Sequence, residues 1–365
     1  MVQTHGRQLG LVLTGLLATQ LSACLDQADW DSWKNSDQDN ASPNSFITSI
    51  TFDHDDNLYI ATVSGKILRY DGHQLTEIIS RPPYGSGIAK TIRFAQNHLY
   101  IHYKHYLNKD AGYSDDMVLF SAEGDYIERL FSKNVVANLL NSSPATEGDV
   151  LISDATVNYF GQLYTLTKPT ALLRINYDRQ NLIRIAPQID RTVIEENREY
   201  LSEFYNVDEL LEQTIPEEIG DLPELPDFYL DGLTGIATDA QNNIYISCIL
   251  GIFKFDAEGN YLKTIALVGK NNLVFPHSLA LDPSGNIIVA NYYQITPARM
   301  EFIKFDPNGN HMGVFIPAGT AGLGIRVDDM MFDHAGNLYI VDTIKGVYQF
   351  DSTGQFTKII IKPFG

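Results

Sequence analysis

The chain has 365 residues, 44% of them hydrophobic and 11% aromatic, enough to bury a large core, and a repeat fold can hold this length in one domain. Its formal net charge of -19 argues against nucleic acid as a partner, because binding it needs a basic track that displaces counterions. Cationic ligands, metal ions or plain solubility suit the balance better.

At the amino terminus, Leu9 to Ala18 is an apolar run behind Arg7 that closes on Leu21-Ser22-Ala23-Cys24. About ten apolar residues are too few to cross a bilayer as a permanent helix, so residues 1–23 read as a secretory signal. The closing tetrapeptide resembles the lipobox of bacterial lipoproteins. That resemblance implies cleavage before Cys24, lipid on its thiol and amino group, and firm anchoring. Leu25 in place of Asp implies the outer membrane if the source is Gram-negative. The plainer alternative is an ordinary signal with a chance cysteine. With Cys24 modified, Cys248 is the one thiol left. It cannot close an intrachain disulfide, and its place in a second strand reads as buried and inert. Loss of Arg7 takes the charge from -19 to -20. Residues 24–45 are polar and acidic apart from Trp30 and Trp33, and read as a flexible tether.

From Phe46 onward the chain repeats itself. Met331 to Phe356 holds four short apolar runs, joined by Asp333-His-Ala-Gly336-Asn337 and Asp351-Ser-Thr-Gly354-Gln355. Asp at the head of such a loop bonds the backbone two residues on, and Gly supplies the positive φ, so each pair of runs reads as a hairpin. Two hairpins make a four-stranded unit that must stack on copies of itself. Copies of the first hairpin start at Phe52, Ala237 and Leu281, and copies of the second at Phe120, Phe255 and Phe305. Their spacing is roughly 40 to 50 residues, the period of a propeller blade. The fold expected is therefore all-β, a six-bladed propeller of four-stranded antiparallel blades over residues 46–365.

The D-x-x-G-N turn, the Tyr-Ile-Val-Asp342 strand ending and the Phe-Asp-x-x-Gly motif resemble the NHL-repeat family of six-bladed propellers. More distantly they resemble gluconolactonase-type propellers. The resemblance implies the fold and leaves function open between enzyme, sensor and scaffold. Gluconolactonase-type enzymes place a Glu metal ligand ahead of the first blade, where this chain reads Ser42-Pro-Asn-Ser-Phe-Ile-Thr-Ser; Asn291 matches one of that family's Asn ligands.

In order, blades one and two run from Phe46 to Ile79 and Ala89 to Phe131, with a long loop, His102 to Asp116, inside blade two. Blade three, Asp149 to Ala186, fits the repeat least well. Residues 187–230 read as an acidic insertion. Val193, Ile194, Leu201, Leu210 and Leu211 recur there at helical spacing, which predicts one or two short helices that pack on the propeller and show their acids to solvent. Whether it covers the channel or only decorates the surface stays open. Blades four, five and six start near Gly235, Ser278 and Asp329; the last reads as holding all four of its strands, with no sign of one exchanged to close the ring.

The first strand of each blade lines the channel, so the residues just before it ring one mouth. Alignment puts Thr48, Lys90, Thr234, His277 and Asp328 there, with blade three uncertain near Asp149. Thr62, Tyr103, Thr167, Cys248, Asn291 and Asp342 follow the second strands near the same mouth. His277, Asn291, Asp328 and Asp342 form the best cluster, with oxygen ligands suited to calcium and an imidazole tolerated by zinc. For Asp342 and His277 a structural hydrogen-bonding role is the competing reading. His102-x-x-His105 is a weak metal signal. Tyr103 and Tyr292, with neighbouring tyrosines, point to a surface for sugar, peptide or protein. Two functions follow: a lipid-anchored envelope scaffold that binds a ligand or protein at its loop face, and a metal-dependent hydrolase of the lactonase type.

Overall fold

The computed structural model describes residues 46–85, 87–108, 112–132, 151–157, 162–168, 171–175, 182–185, 188–189, 191–202, 207, 228–229, 234–248, 250–293, 298–325 and 327–362. The signal, Cys24 and the tether lie outside them. Among the described residues the strands pair into six four-stranded antiparallel sheets, each in sequential order. The first holds β1 to β4 (Ile47–Phe52, Leu58–Thr62, Ile67–Tyr70, Leu75–Ile79) and the second β5 to β8 (Ile88–Ala95, His98–Asn108, Gly112–Ser121, Tyr126–Ser132). The third holds β9 to β12 (Leu151–Val157, Leu163–Lys168, Ala171–Ile175, Leu182–Ile185). After a short pair, β13 (Gln188–Ile189) with β14 (Phe228–Tyr229), come β15 to β18 (Gly235–Thr238, Ile244–Cys248, Gly251–Phe255, Tyr261–Leu267). The last two sheets are β19 to β22 (Pro276–Leu281, Ile287–Tyr293, Arg299–Phe305, His311–Ile316) and β23 to β26 (Val327–Phe332, Leu338–Asp342, Gly346–Phe350, Phe356–Ile361). The first strands pack in succession, β1 on β5, β5 on β9, β9 on β15, β15 on β19, β19 on β23, and β23 back on β1. The result is a β-propeller.

The repeated turn explains the repeated sequence. Asp282 Oδ1 accepts the backbone N–H groups of Ser284 and Asn286, both at 2.9 Å, while Asn286 Nδ2 donates to Oδ2 at 2.7 Å. The same set recurs at Asp53, Asp239, Asp256 and Asp306. Each Asp thus fills the donors of a tight turn with one side chain. In the exposed turn at Asp306, the hydrogen bonds from Asn310 hold the carboxyl below its usual range. Gly309 shows why the motif ends in Gly: its φ is +85°, and a Cβ there would meet the Ile265 carbonyl oxygen at 2.6 Å.

The ring closes without strand exchange, since the first and last sheets each contain four strands consecutive in sequence. Closure comes from packing and one buried charge pair. Ile50, Leu58 and Ile60 of the first sheet share a core with Tyr339, Val341 and Val347 of the last. Asp329 on β23 receives Arg93 of β5 through both guanidinium nitrogens, at 2.8 and 3.1 Å. It also accepts the Ser49 hydroxyl and, at 3.1 Å, the Ile50 N–H of β1.

Two expectations need correction. The long loop foreseen from His102 to Asp116 is instead strand for most of its length, because β6 continues to Asn108 and β7 resumes at Gly112. His102 and Asp115 are buried against each other on this extension. The 187–230 insertion is rooted by the β13–β14 pair, which was not foreseen, and opens with two short helices, α1 (Arg191–Glu196) and α2 (Arg198–Leu201). Ile194, Leu201 and Val207 join a core with Ile236, Ile244 and Phe253, while Glu195, Glu196 and Glu199 are exposed. Leu210 and Leu211 lie outside the described residues.

Removing one partner of a buried ion pair strands the other, at a cost of about 3–5 kcal/mol. Urea titration of Asp329→Asn and of Arg93→Met should each show a loss of that order. The double variant should lose clearly less than the sum of the two. Additive losses would show that the pair does not act as a unit.

Candidate functional site

Antiparallel order gives the propeller two unlike faces. The turns joining first to second strands and third to fourth strands share one face, and most of those described are Asp-headed. The connections between sheets and the turns from second to third strands belong to the other face, where each first strand begins. Long connections on a rigid scaffold are where binding groups collect. The insertion, the β6–β7 extension and the channel mouth therefore share a face.

A bulge marks the start of most first strands. Pairing slips between Ile47 and Ser49, between Ala89 and Thr91, between Pro276 and Ser278, and between Val327 and Asp329. The extra residues are Thr48, Lys90, His277 and Asp328. In β9 the slip leaves Ser153, and Thr234 stands just ahead of Gly235, its N–H bonded to the Ser247 carbonyl at 2.9 Å. A bulge re-aims a side chain and is common beside functional sites. Five of these positions are those the alignment placed at the mouth. Ser153 was not anticipated, because the altered turn of the third blade leaves its mouth position uncertain near Asp149, which lies outside the described residues. The signal was there: each mouth residue stands five positions before the head of its turn, and five before Asn158 is Ser153.

Members of this ring do different work. Thr48 Oγ1 donates to the Ala89 carbonyl, and Thr234 Oγ1 to the Pro276 carbonyl at 2.7 Å. These hydroxyls tie each sheet to the next. Lys90, His277 and Asp328 are half-buried. The Nδ1 atom of His277 is itself buried and has no hydrogen-bond partner among the described residues. Burial, and then the nearby charge of Lys90, push the imidazole pKa down to about 4. His277 is therefore neutral at pH 7.

The residues after the second strands are structural instead. Asn291 Oδ1 accepts the N–H groups of Val274 and Phe275 at 2.8 and 3.1 Å, and its Nδ2 donates to the Asn272 carbonyl at 2.8 Å. Asp342 Oδ2 accepts Gly324 N–H at 2.8 Å, and Oδ1 accepts those of Ile344 and Lys345 at 3.1 Å each. Both latch the connection that enters their own sheet. Their oxygens are committed to the backbone, so the set of His277, Asn291, Asp328 and Asp342 does not fit a calcium or zinc ion. Among the described residues no group of three or more His, Cys, Asp and Glu side chains is placed to hold a metal. Tyr103 is also corrected. It is wholly buried in a core with Tyr59, Ile92 and Phe120, and burial raises its pKa. Tyr292 packs half-buried on the core of its own sheet. Cys248 is buried, as its strand position implied. His102 and His105 pair with Asp115 and Asp116 rather than with each other.

No family model matches the sequence, and no curated protein matches it. Solved structures resemble it in fold. Virginiamycin B lyase from Staphylococcus aureus is 10% identical with a TM-score of 0.50, the alignment covering 88% of this chain and 87% of that one. A gluconolactonase from Xanthomonas campestris is 13% identical at TM-score 0.48, covering 82% and 83%. A calcium-binding protein, regucalcin, from Agrobacterium tumefaciens is 9% identical at TM-score 0.47, covering 83% of each chain. The lyase likeness, at this identity, shows the β-propeller fold alone.

If Asn291 and Asp342 serve the backbone, a chelator should leave the melting temperature unchanged. Asn291→Ala and Asp342→Ala should each cost about 1–3 kcal/mol, the price of stranded N–H groups. A chelator-induced fall in melting temperature would overturn this assignment.

Proposed function

We propose that the chain is a binding propeller of the bacterial cell envelope, held by lipid on Cys24, that takes a ligand at the bulge-ringed mouth. The observation that carries the binding site is the His277 imidazole, neutral, with a buried and unpartnered Nδ1, on the face that gathers the long connections. Polar groups left unpaired in a rigid concavity are what a ligand completes. An envelope protein, peptide or saccharide are the partner classes in view. The lactonase-type reading loses its ground in this chain, because two of the four residues offered for the metal are bound to backbone.

Lipid anchoring rests on Leu21-Ser22-Ala23-Cys24. Labelled palmitate should enter the wild-type chain and not Cys24→Ala; equal labelling, or none in either, would refute the anchor. For the mouth, a library of envelope peptides and saccharides should contain a member that raises the melting temperature of the wild type. A ligand at a hundred times its Kd stabilises by about 2.7 kcal/mol. The same member should leave Lys90→Met/His277→Phe unshifted. A shift that survives in this variant would place the ligand elsewhere.

A further inference from the structure

We infer that Tyr84 and Tyr126 form an oxidative cross-linking site, where a dityrosine bond staples the connection between the first two sheets to the outer edge of the second. This goes beyond the reading of the mouth and does not rest on it. Tyr84 stands in that connection, and Tyr126 opens β8. Both rings are exposed, Tyr84 by 38% and Tyr126 by 48%. Their hydroxyls nevertheless share a hydrogen bond across 42 residues of chain, with ring centroids 6.1 Å apart and the planes at 88°. Ordering two exposed side chains costs rotamer entropy, and each ring has a backing group that reduces the freedom there is to lose. The Arg129 guanidinium lies 3.8 Å from the centre of the Tyr84 ring, and its Nε stands 3.6 Å from the buried Asp116 carboxylate. Phe120 backs Tyr126 edge to face at 5.9 Å. Pro82, buried two residues ahead of Tyr84, roots the connection.

Proximity decides which phenols couple. A peroxidase that reduces one hydrogen peroxide to two waters takes one electron and one proton from each phenol. The two phenoxyl radicals then join through ring carbons beside their hydroxyls. The proton on each joined carbon moves to its oxygen and restores the phenol, so the chain loses two hydrogens in all. The rings meet at right angles, and coupling requires one of them to swing, a motion that solvent exposure permits. Disulfide chemistry cannot do the same work in this chain. Of its two cysteines, Cys24 precedes the propeller and Cys248 is buried within it, so no disulfide can hold one blade to another. A bond between residues 42 apart closes a loop of the kind that disulfides stabilise by limiting the unfolded chain.

The test treats the full chain with hydrogen peroxide and a heme peroxidase and then isolates the monomer. Its mass should fall by that of two hydrogens, and proteolysis should release a peptide pair joined through Tyr84 and Tyr126. The linked monomer should melt at a higher temperature than the untreated chain. Tyr84→Phe and Tyr126→Phe should each lower the yield of linked monomer on the order of tenfold or more. Tyr70→Phe, which removes a hydroxyl that bonds the Gly72 carbonyl instead, should leave the yield unchanged. If circular dichroism shows that Tyr84→Phe fails to fold, Tyr126→Phe gives the same reading from the opposite ring. No mass loss in the monomer, links that join other tyrosines or only separate chains, a yield kept in either Phe variant, or a linked monomer that melts no higher would each overturn the inference.

Discussion

The fold depends on one contact between its ends: the Asp329 carboxylate held by Arg93, Ser49 and the Ile50 amide. A ring of sheets must join its last member to its first, and many propellers are joined by a strand borrowed across the seam. Here both terminal sheets are complete in sequence, so nothing covalent in the repeat plan bridges the gap. Taking a carboxylate and a guanidinium out of water costs several kcal/mol per ion, which good geometry and extra hydrogen bonds must offset. Both conditions are met: the guanidinium is bidentate, and the carboxylate accepts from a hydroxyl and a peptide N–H as well. The pair also reaches past the immediate seam, because Arg93 belongs to the second sheet and Asp329 to the sixth. It therefore fixes three sheets at once, while the apolar core of Ile50, Leu58, Ile60, Tyr339 and Val341 supplies area without direction.

The two faces express opposite solutions to the same problem, the donors and acceptors left at strand ends. On one face a single device recurs: an Asp fills its turn's amides, helped by the Asn four residues later. On the other face the groups are met one by one. Asn291 and Asp342 latch the incoming connections, Thr48 and Thr234 bond the next sheet, and the His277 Nδ1 has no partner among the described residues. A uniform face has little chemical individuality to offer a ligand, and the irregular one has a great deal.

How much of this the sequence revealed follows from what repeats. The turn motif carries its own hydrogen bonds within five residues, so Asp282 and Asn286 announce a hairpin wherever they occur, and the sheet boundaries fell within a few residues of the strands observed. The mouth positions were found for the same reason, since they sit at fixed distance from those turns. Side-chain partners were not legible. Asn291, Asp328 and Asp342 are all polar residues near one mouth, and nothing in their spacing tells that two are turned to backbone amides while one stands on a bulge. Tyr103 misled in the same way: it aligns with Asn291, but it lies within β6, which runs on to Asn108, and its ring packs into the core beside Tyr59. The Asp329–Arg93 pair, 236 residues apart in the chain, left no local trace at all.

Closure and mouth are one construction. Ser49 follows the bulge residue Thr48, and Asp329 follows Asp328; Arg93 stands three positions after Lys90. The buried network thus lies one step inside the ring of bulge residues. In a pleated strand neighbouring side chains point to opposite sides, so a residue clamped at one position sets the direction of the next. The added residue of the bulge takes Lys90, His277 and Asp328 out of the pairing register, and at Asp328 the clamp on the neighbouring Asp329 fixes the backbone beside it.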